Sequence, residues 1–179
     1  MEVEVKFKAD KDIEDRIRSM AELVCEKEEI DLYFNSPVRD FRKSDEALRI
    51  RKDSEGVKIT YKGPKIDPET KTREEIEIRV DNYEKAVELL KRLGFVPVRE
   101  VAKRRRIYRL ENVTICFDEV KELGMFVEIE IKSEDLESAK RKIFEIARQL
   151  GFDPAKSIRK SYLELLEDSD KEINRGARN

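Results

Sequence analysis

The sequence predicts an α+β fold: a closed, eight-stranded antiparallel β-barrel with helices packed on its outside. Three observations predict it. Three stretches alternate acid, β-branched residue, acid, β-branched residue, base: Glu2 to Lys6, Glu75 to Arg79 and Glu128 to Lys132. At a side-chain period of two, the charges of each stretch project from one strand face and Val or Ile covers the other. About eight such strands can be counted, and the segments between them carry apolar residues at helical spacing. So many charged faces cannot enter a packed core. Curling the sheet gathers them around a water-filled interior and leaves the apolar outside for the helices to cover.

Going along the chain, strand 2–6 precedes a helix with Asp10 and Asp12 available as caps and Ile13, Ile17, Met20, Ala21 and Val24 as its stripe, expected to end near Glu29. Residues 31–34 read as a short strand and 35–45 as a loop. Residues 47–52 and 57–62 make a hairpin around the turn 53–56, with Arg49 and Arg51 on one face of its first strand and Lys58, Thr60 and Lys62 on one face of its second. Residues 65–72, with Pro68 and no periodicity, read as a mobile loop before the strand that carries Arg73, Glu75 and Glu77. Asp81 and Glu84 suit a capping box for a helix with Ala86, Val87, Leu90 and Leu93 inside and Gly94 as its stop.

Strands follow at 98–109, 113–120 and 126–132. Alternation splits the basic run 103–106, Lys103 and Arg105 to one face, Arg104 and Arg106 to the other. A helix from Ser133 to Gly151 and another from Asp153 to about Leu166 complete the domain, 1–166. The charged tail 167–179 is expected to fray. Leu-Gly-Phe followed by Pro recurs at 93–97 and 150–154, suggesting two related halves around one core.

Composition narrows the chemistry. The 179 residues carry 39 Lys and Arg against 41 Asp and Glu, a net charge of -2, with no His and no Trp. Without histidine there is no Ser-His-Asp or Cys-His mechanism and no imidazole metal site, which leaves carboxylate-bound hard cations. Cys25 and Cys116 read as buried free thiols in a reducing cytoplasm. No apolar run approaches a membrane span, so neither membrane nor signal segment is expected. The near-neutral charge, and a basic run whose only aromatic neighbour is Tyr108, argue against a nucleic-acid partner. Carboxylates sharing a strand face repel unless a cation lies between them, so the acid, acid, base pattern suggests a divalent metal with phosphates on the neighbouring bases.

Several motifs occur in a fixed order: Glu2-x-Glu4-x-Lys6, Leu48-Arg49-Ile50-Arg51, Thr60-Tyr61-Lys62-Gly63-Pro64, Thr72-Arg73-Glu74-Glu75, Val101-x-Lys103-x-Arg105, Asp118-Glu119-Val120 and Leu123-Gly124-x-Phe126-x-Glu128-x-Glu130. Together they resemble the CYTH superfamily, the triphosphate tunnel metalloenzymes. Asp31-x-Tyr33-Phe34 and residues 161–166 resemble its class IV adenylyl cyclase branch. The resemblance implies a tunnel that binds a triphosphate with Mg²⁺ or Mn²⁺. It assigns Glu2, Glu4, Glu128 and Glu130 to the metal, Lys6, Arg49, Arg51, Lys62, Arg73, Lys103 and Arg105 to the phosphates, and Asp118 to catalysis. Arg73, Glu75 and Glu77 also face the interior by alternation, where ion pairs could orient the clamp. The implied reaction converts ATP to cyclic AMP and pyrophosphate. The alternative is hydrolysis of inorganic triphosphate, a nucleoside triphosphate or thiamine triphosphate. A homodimer is an open option.

Overall fold

The computed structural model describes residues 2–176. Eight strands form a single antiparallel sheet: β1 (Glu2–Lys8), β2 (Glu22–Asn35), β3 (Ala47–Asp53), β4 (Gly56–Lys62), β5 (Glu75–Val80), β6 (Val96–Leu110), β7 (Val113–Val120) and β8 (Gly124–Lys132). Their order is β1-β8-β7-β6-β2-β3-β4-β5. The helices are α1 (Lys11–Met20), α2 (Phe41–Ser44), α3 (Tyr83–Arg92), α4 (Leu136–Gln149) and α5 (Tyr162–Gly176). None is long and apolar enough to cross a membrane.

The apolar strand faces point outward, as the alternation requires. Val3, Val5, Phe7, Ile115, Phe117, Val127 and Ile129 are buried against Ile17 of α1 and Ala139, Ile143, Ile146 and Ala147 of α4. Leu48 and Ile50 are covered by Ala86 and Leu90 of α3. Full burial of one such aliphatic or aromatic side chain contributes about 1.5–3 kcal/mol, so these two layers hold the helices to the sheet. The repeated Leu-Gly-Phe segments close α3 and α4 in the same way. Gly94 and Gly151 both have φ +90, and the next N–H bonds back into the helix, Phe95 to Leu90 and Phe152 to Ala147.

Several expectations need correction. The first helix ends at Met20 rather than near Glu29, because residues 22–35 form one long strand paired with β6 along nearly its whole length. Its glutamates meet the basic run across the ladder: Glu26 bonds Arg104 at 2.9 Å and Glu29 lies 3.3 Å from Lys103. Cross-strand charge pairing thus overrides a local pattern that reads as helix. Second, the chain after Asp153 makes only a 3-10 turn at Pro154–Lys156 and then runs extended beside β1, where Ile158 N–H donates to the Lys6 carbonyl at 2.7 Å.

The supposed tail is mostly helix: α5 reaches Gly176, held by the Arg42–Glu167 and Arg99–Asp170 ion pairs, and 177–179 lie outside the described residues. Caps also shift by a residue or two, to Asn82 for α3 and Asp135 for α4.

Finally, the barrel is not closed by a continuous ladder; β1 and β5 are the two edges of a curled, open sheet. Among the described residues, the backbone contacts across the seam are an isolated bridge from Glu2 to Arg73 and the Lys71 N–H to Glu4 carbonyl bond (2.9 Å). The segment expected to be a mobile loop supplies the Lys71 contact, and it is pinned. Asp67 accepts from Glu69 N, Thr70 N and Thr70 Oγ1, Lys140 of α4 reaches its carboxylate at 3.0 Å, and Arg159 holds its carbonyl at 2.8 Å. Both cysteines are free; Cys116 is buried, whereas Cys25 is only half-buried.

Candidate active site

The inward faces surround a cavity of about 460 Å³ lined by Glu2, Glu4, Lys6, Arg49, Arg51, Lys62, Arg73, Lys103, Arg105, Glu128 and Glu130. Strand register explains the arrangement. Glu4 lies directly opposite Glu130, and Lys6 opposite Glu128, across the β1–β8 ladder. Carboxylate oxygens of Glu2, Glu4 and Glu130 converge within 4.8 Å of one another. Burial, then the Glu2 charge, push the Glu130 carboxyl up to about 8, and burial with Glu75 raises Glu2. Three carboxylates whose oxygens converge this closely are the kind of donor set a hard divalent cation takes.

Glu128, grouped with those three in the sequence, is placed differently. It lies 3.2 Å from Lys6 and 2.5 Å from Arg105. Burial would raise its carboxyl, but Lys71, Lys6 and Arg105 outweigh that and hold it well below the usual range.

The bases are held by acids of neighbouring strands. Arg51 makes a two-pronged pair with Asp31 at 2.6 and 2.7 Å and reaches Glu29 at 3.0 Å. Lys62 pairs with Glu75. Lys6 has no exposed surface and sits 3.8 Å above the Tyr162 ring; burial and the adjacent Lys71 lower it to about 7. Arg49 is less satisfied. Its only ionic contact with Asp31 is 3.5 Å long, and its buried Nε has no partner among the described residues. Arg73 has one ion pair, 3.9 Å from Asp45.

Asp118 stands behind the cavity wall rather than in it. It is fully buried, and its oxygens accept from Arg105 Nε at 2.7 Å, Arg105 Nη2 at 2.6 Å and Tyr162 Oη at 2.7 Å. Sequence reasoning missed Lys71, which bonds Glu4 and lies 3.6 Å from Glu128, and the paired roles of Glu29 and Asp31. The Asp31-x-Tyr33-Phe34 motif was a signal for Asp31. Nothing in local periodicity marked Lys71, because it precedes its strand. Phe34, Phe41, Val98 and Leu163 line the same cavity, near the paired ends of β2 and β6.

A model of the CYTH domain matches residues 1–162. The chain belongs to the CYTH family. Its CYTH relatives include a Methanocaldococcus jannaschii protein with the provisional name adenylate cyclase, 41% identical, the match covering 92% of this chain and 98% of that one. An Aeromonas hydrophila adenylate cyclase is 28% identical over 80% of this chain and 75% of its own. Among solved structures, a Pyrococcus horikoshii protein has a TM-score of 0.88 and 42% identity, covering 94% of this chain and 99% of that one.

The buried pairs make a pH prediction about this CYTH fold. Burial pushes Asp31 up, but Arg49 and Arg51 outweigh it and hold the carboxyl well below its ordinary value. A depressed folded-state value contributes stability that is complete above the unfolded value, about 3.9, and is lost as pH falls further. Asp31→Asn is therefore expected to lose about 3–5 kcal/mol at pH 7, the cost of stranding a buried charge. The gap to the natural protein should narrow below about pH 4. Urea midpoints at pH 7, 4 and 2.5 check this; a gap independent of pH would contradict it.

Proposed function

We propose that the chain is a metal-dependent enzyme acting on a nucleoside triphosphate, converting ATP to cyclic AMP and pyrophosphate. The observation that carries this reading is one cavity in which a three-carboxylate cluster, Glu2, Glu4 and Glu130, adjoins a row of buried bases, one of which, Arg49, has a buried Nε without a partner among the described residues. Glu2, Glu4 and Glu130 would hold Mg²⁺ or Mn²⁺. A bound divalent cation supplies Lewis-acid polarisation of a phosphoryl oxygen and offsets the charge that develops there. Lys6, Arg49, Arg51, Lys62, Arg73, Lys103 and Arg105, with Lys71, would surround the phosphate oxygens with positive charge, Arg51 and Arg105 from positions fixed by their forks on Asp31 and Asp118.

In the reaction the ribose 3′ oxygen attacks the α-phosphorus, and the bond from that phosphorus to the bridging β-oxygen breaks. Pyrophosphate leaves into the basic clamp, and the hydroxyl proton passes to a cavity carboxylate. Asp118, bonded on both oxygens, acts in this scheme by holding Arg105 and Tyr162. Phe34, Phe41, Val98 and Leu163 favour an organic group beyond the phosphates, which supports a nucleotide over inorganic triphosphate. The adenylate cyclase names of the two relatives agree.

The test is product analysis with ATP and Mg²⁺ or Mn²⁺. Cyclic AMP and pyrophosphate should appear in equal amounts. Release of inorganic phosphate at equal rates from ATP and tripolyphosphate, without cyclic AMP, would replace the cyclase with a triphosphatase, since the same clamp serves water as the nucleophile.

A further inference from the structure

The two edges of the sheet are treated differently by the fold. On β1, the Glu4 carbonyl is taken by Lys71 N–H and the Lys6 carbonyl by Ile158 N–H, so other parts of the chain cover this edge. On β5, the bridge at Arg73 ends the covering, and from Glu75 to Val80 no described strand lies on the side away from β4. The Glu74 carbonyl accepts from Gly63 N–H on the β4 side. By alternation, the peptide groups of 75, 77 and 79 point to the open edge. The outer face of the same strand shows Ile76 and Ile78, 54% and 55% exposed. An exposed edge with apolar residues on its outer face can pair with another strand; neither proline nor bulge interrupts this one, so its charges decide what it can pair with.

Charge chooses the partner strand. Arg79 is exposed, stands opposite Lys58 in the β4–β5 ladder, and has no ion pair among the described residues. Glu77 is exposed, and its only ionic contact among the described residues, with Lys58, is 3.5 Å long. We infer that β5 is where two copies of this chain join, edge to edge and antiparallel, about a two-fold axis through Ile78. In that register each Arg79 faces the other copy's Glu77 in a hydrogen-bonded pair, Ile78 meets its own copy, and Ile76 meets Val80. Every peptide group left open at 77 and 79 is then used. Moving the axis to Glu77 would set two glutamates face to face, which disfavours that register.

Sedimentation velocity over a concentration series tests the interface. The natural chain should shift from 21.2 kDa towards twice that mass. Ile78→Lys sets two ammonium groups together at the axis, and Arg79→Glu sets two Glu–Glu pairs; each should weaken association at least about 100-fold. The exchange Glu77→Arg with Arg79→Glu should restore it. Melting curves of the dilute variants verify that each is folded. A monomer at every concentration would overturn the inference and leave the edge to a strand of some other chain. A dimer indifferent to both single changes, or one the exchange fails to rescue, would overturn it equally.

Discussion

Replacing Glu2 and Glu130 together with glutamine is expected to lower turnover by on the order of 10³-fold or more, while the metal-free protein becomes no less stable than the natural one. The reason is the same convergence within 4.8 Å that makes the site. Glu130 is pushed up to about 8 and Glu2 is also raised, first by burial and then by neighbouring carboxylates. An acid whose folded-state value lies above its unfolded value costs stability as it ionises, so the folded natural protein loses ground as pH rises from about 4.3 towards 8. Glutamine removes that slope. In metal-free buffer the variant should melt higher than the natural chain at pH 8 and approach it below about pH 4.

Adding Mg²⁺ and tripolyphosphate should reverse the order, because ligand raises the melting temperature only of the protein that binds it. Were these glutamates merely solvated strand residues, the change would cost at most about 1 kcal/mol per pair and spare activity. Equal ligand-induced shifts in both proteins would remove the cluster from the mechanism.

Asp118→Asn separates two roles that the sequence alone could not. As a proton acceptor, its loss would lower kcat by about 10²–10⁴-fold, abolish one limb of the pH profile and spare KM. With three hydrogen bonds from Arg105 and Tyr162 and no exposed surface, its carboxylate instead holds the guanidinium in place. The expected result is a destabilisation of about 3–5 kcal/mol, from a buried cation losing the counter-charge that holds its fork, with Glu128 left as its near acid. KM for the triphosphate should rise about 10–100-fold as Arg105 loosens, with the pH profile of kcat keeping its shape. A flat KM with a missing limb would return Asp118 to the catalytic role that the family resemblance assigned to it.

Much of the interior was readable because a strand writes its two faces into alternate letters. Glu2, Glu4 and Lys6, like Arg49 and Arg51 or Lys103 and Arg105, had to share a face once the strand was recognised, and the charge on that face required either water or a ligand. Of the helices over the outer face, α3 and α4 followed from their stripes and stop glycines. Less was readable where the partner is distant. Residues 26–29 look helical by themselves and become strand only because the basic run of β6, more than 70 residues away, lies opposite them. Which acid meets which base is likewise a matter of register, and register is a property of the pair.

By itself the sequence determined the alternation, hence a charged interior and an apolar exterior; the lack of histidine, hence oxygen-ligand chemistry; and the ordered motifs that mark the family. Only the tertiary structure decided that Glu130 joins Glu2 and Glu4 while Glu128 turns to Lys6 and Arg105, that Lys71 enters the site, and that Asp118 lies behind the wall. It alone decided that the ladder stops short of closing and leaves β5 bare. The physical reason is separation along the chain: the Lys6 ammonium bonds the carbonyl of Lys160, 154 residues on, and no local pattern encodes a contact of that span.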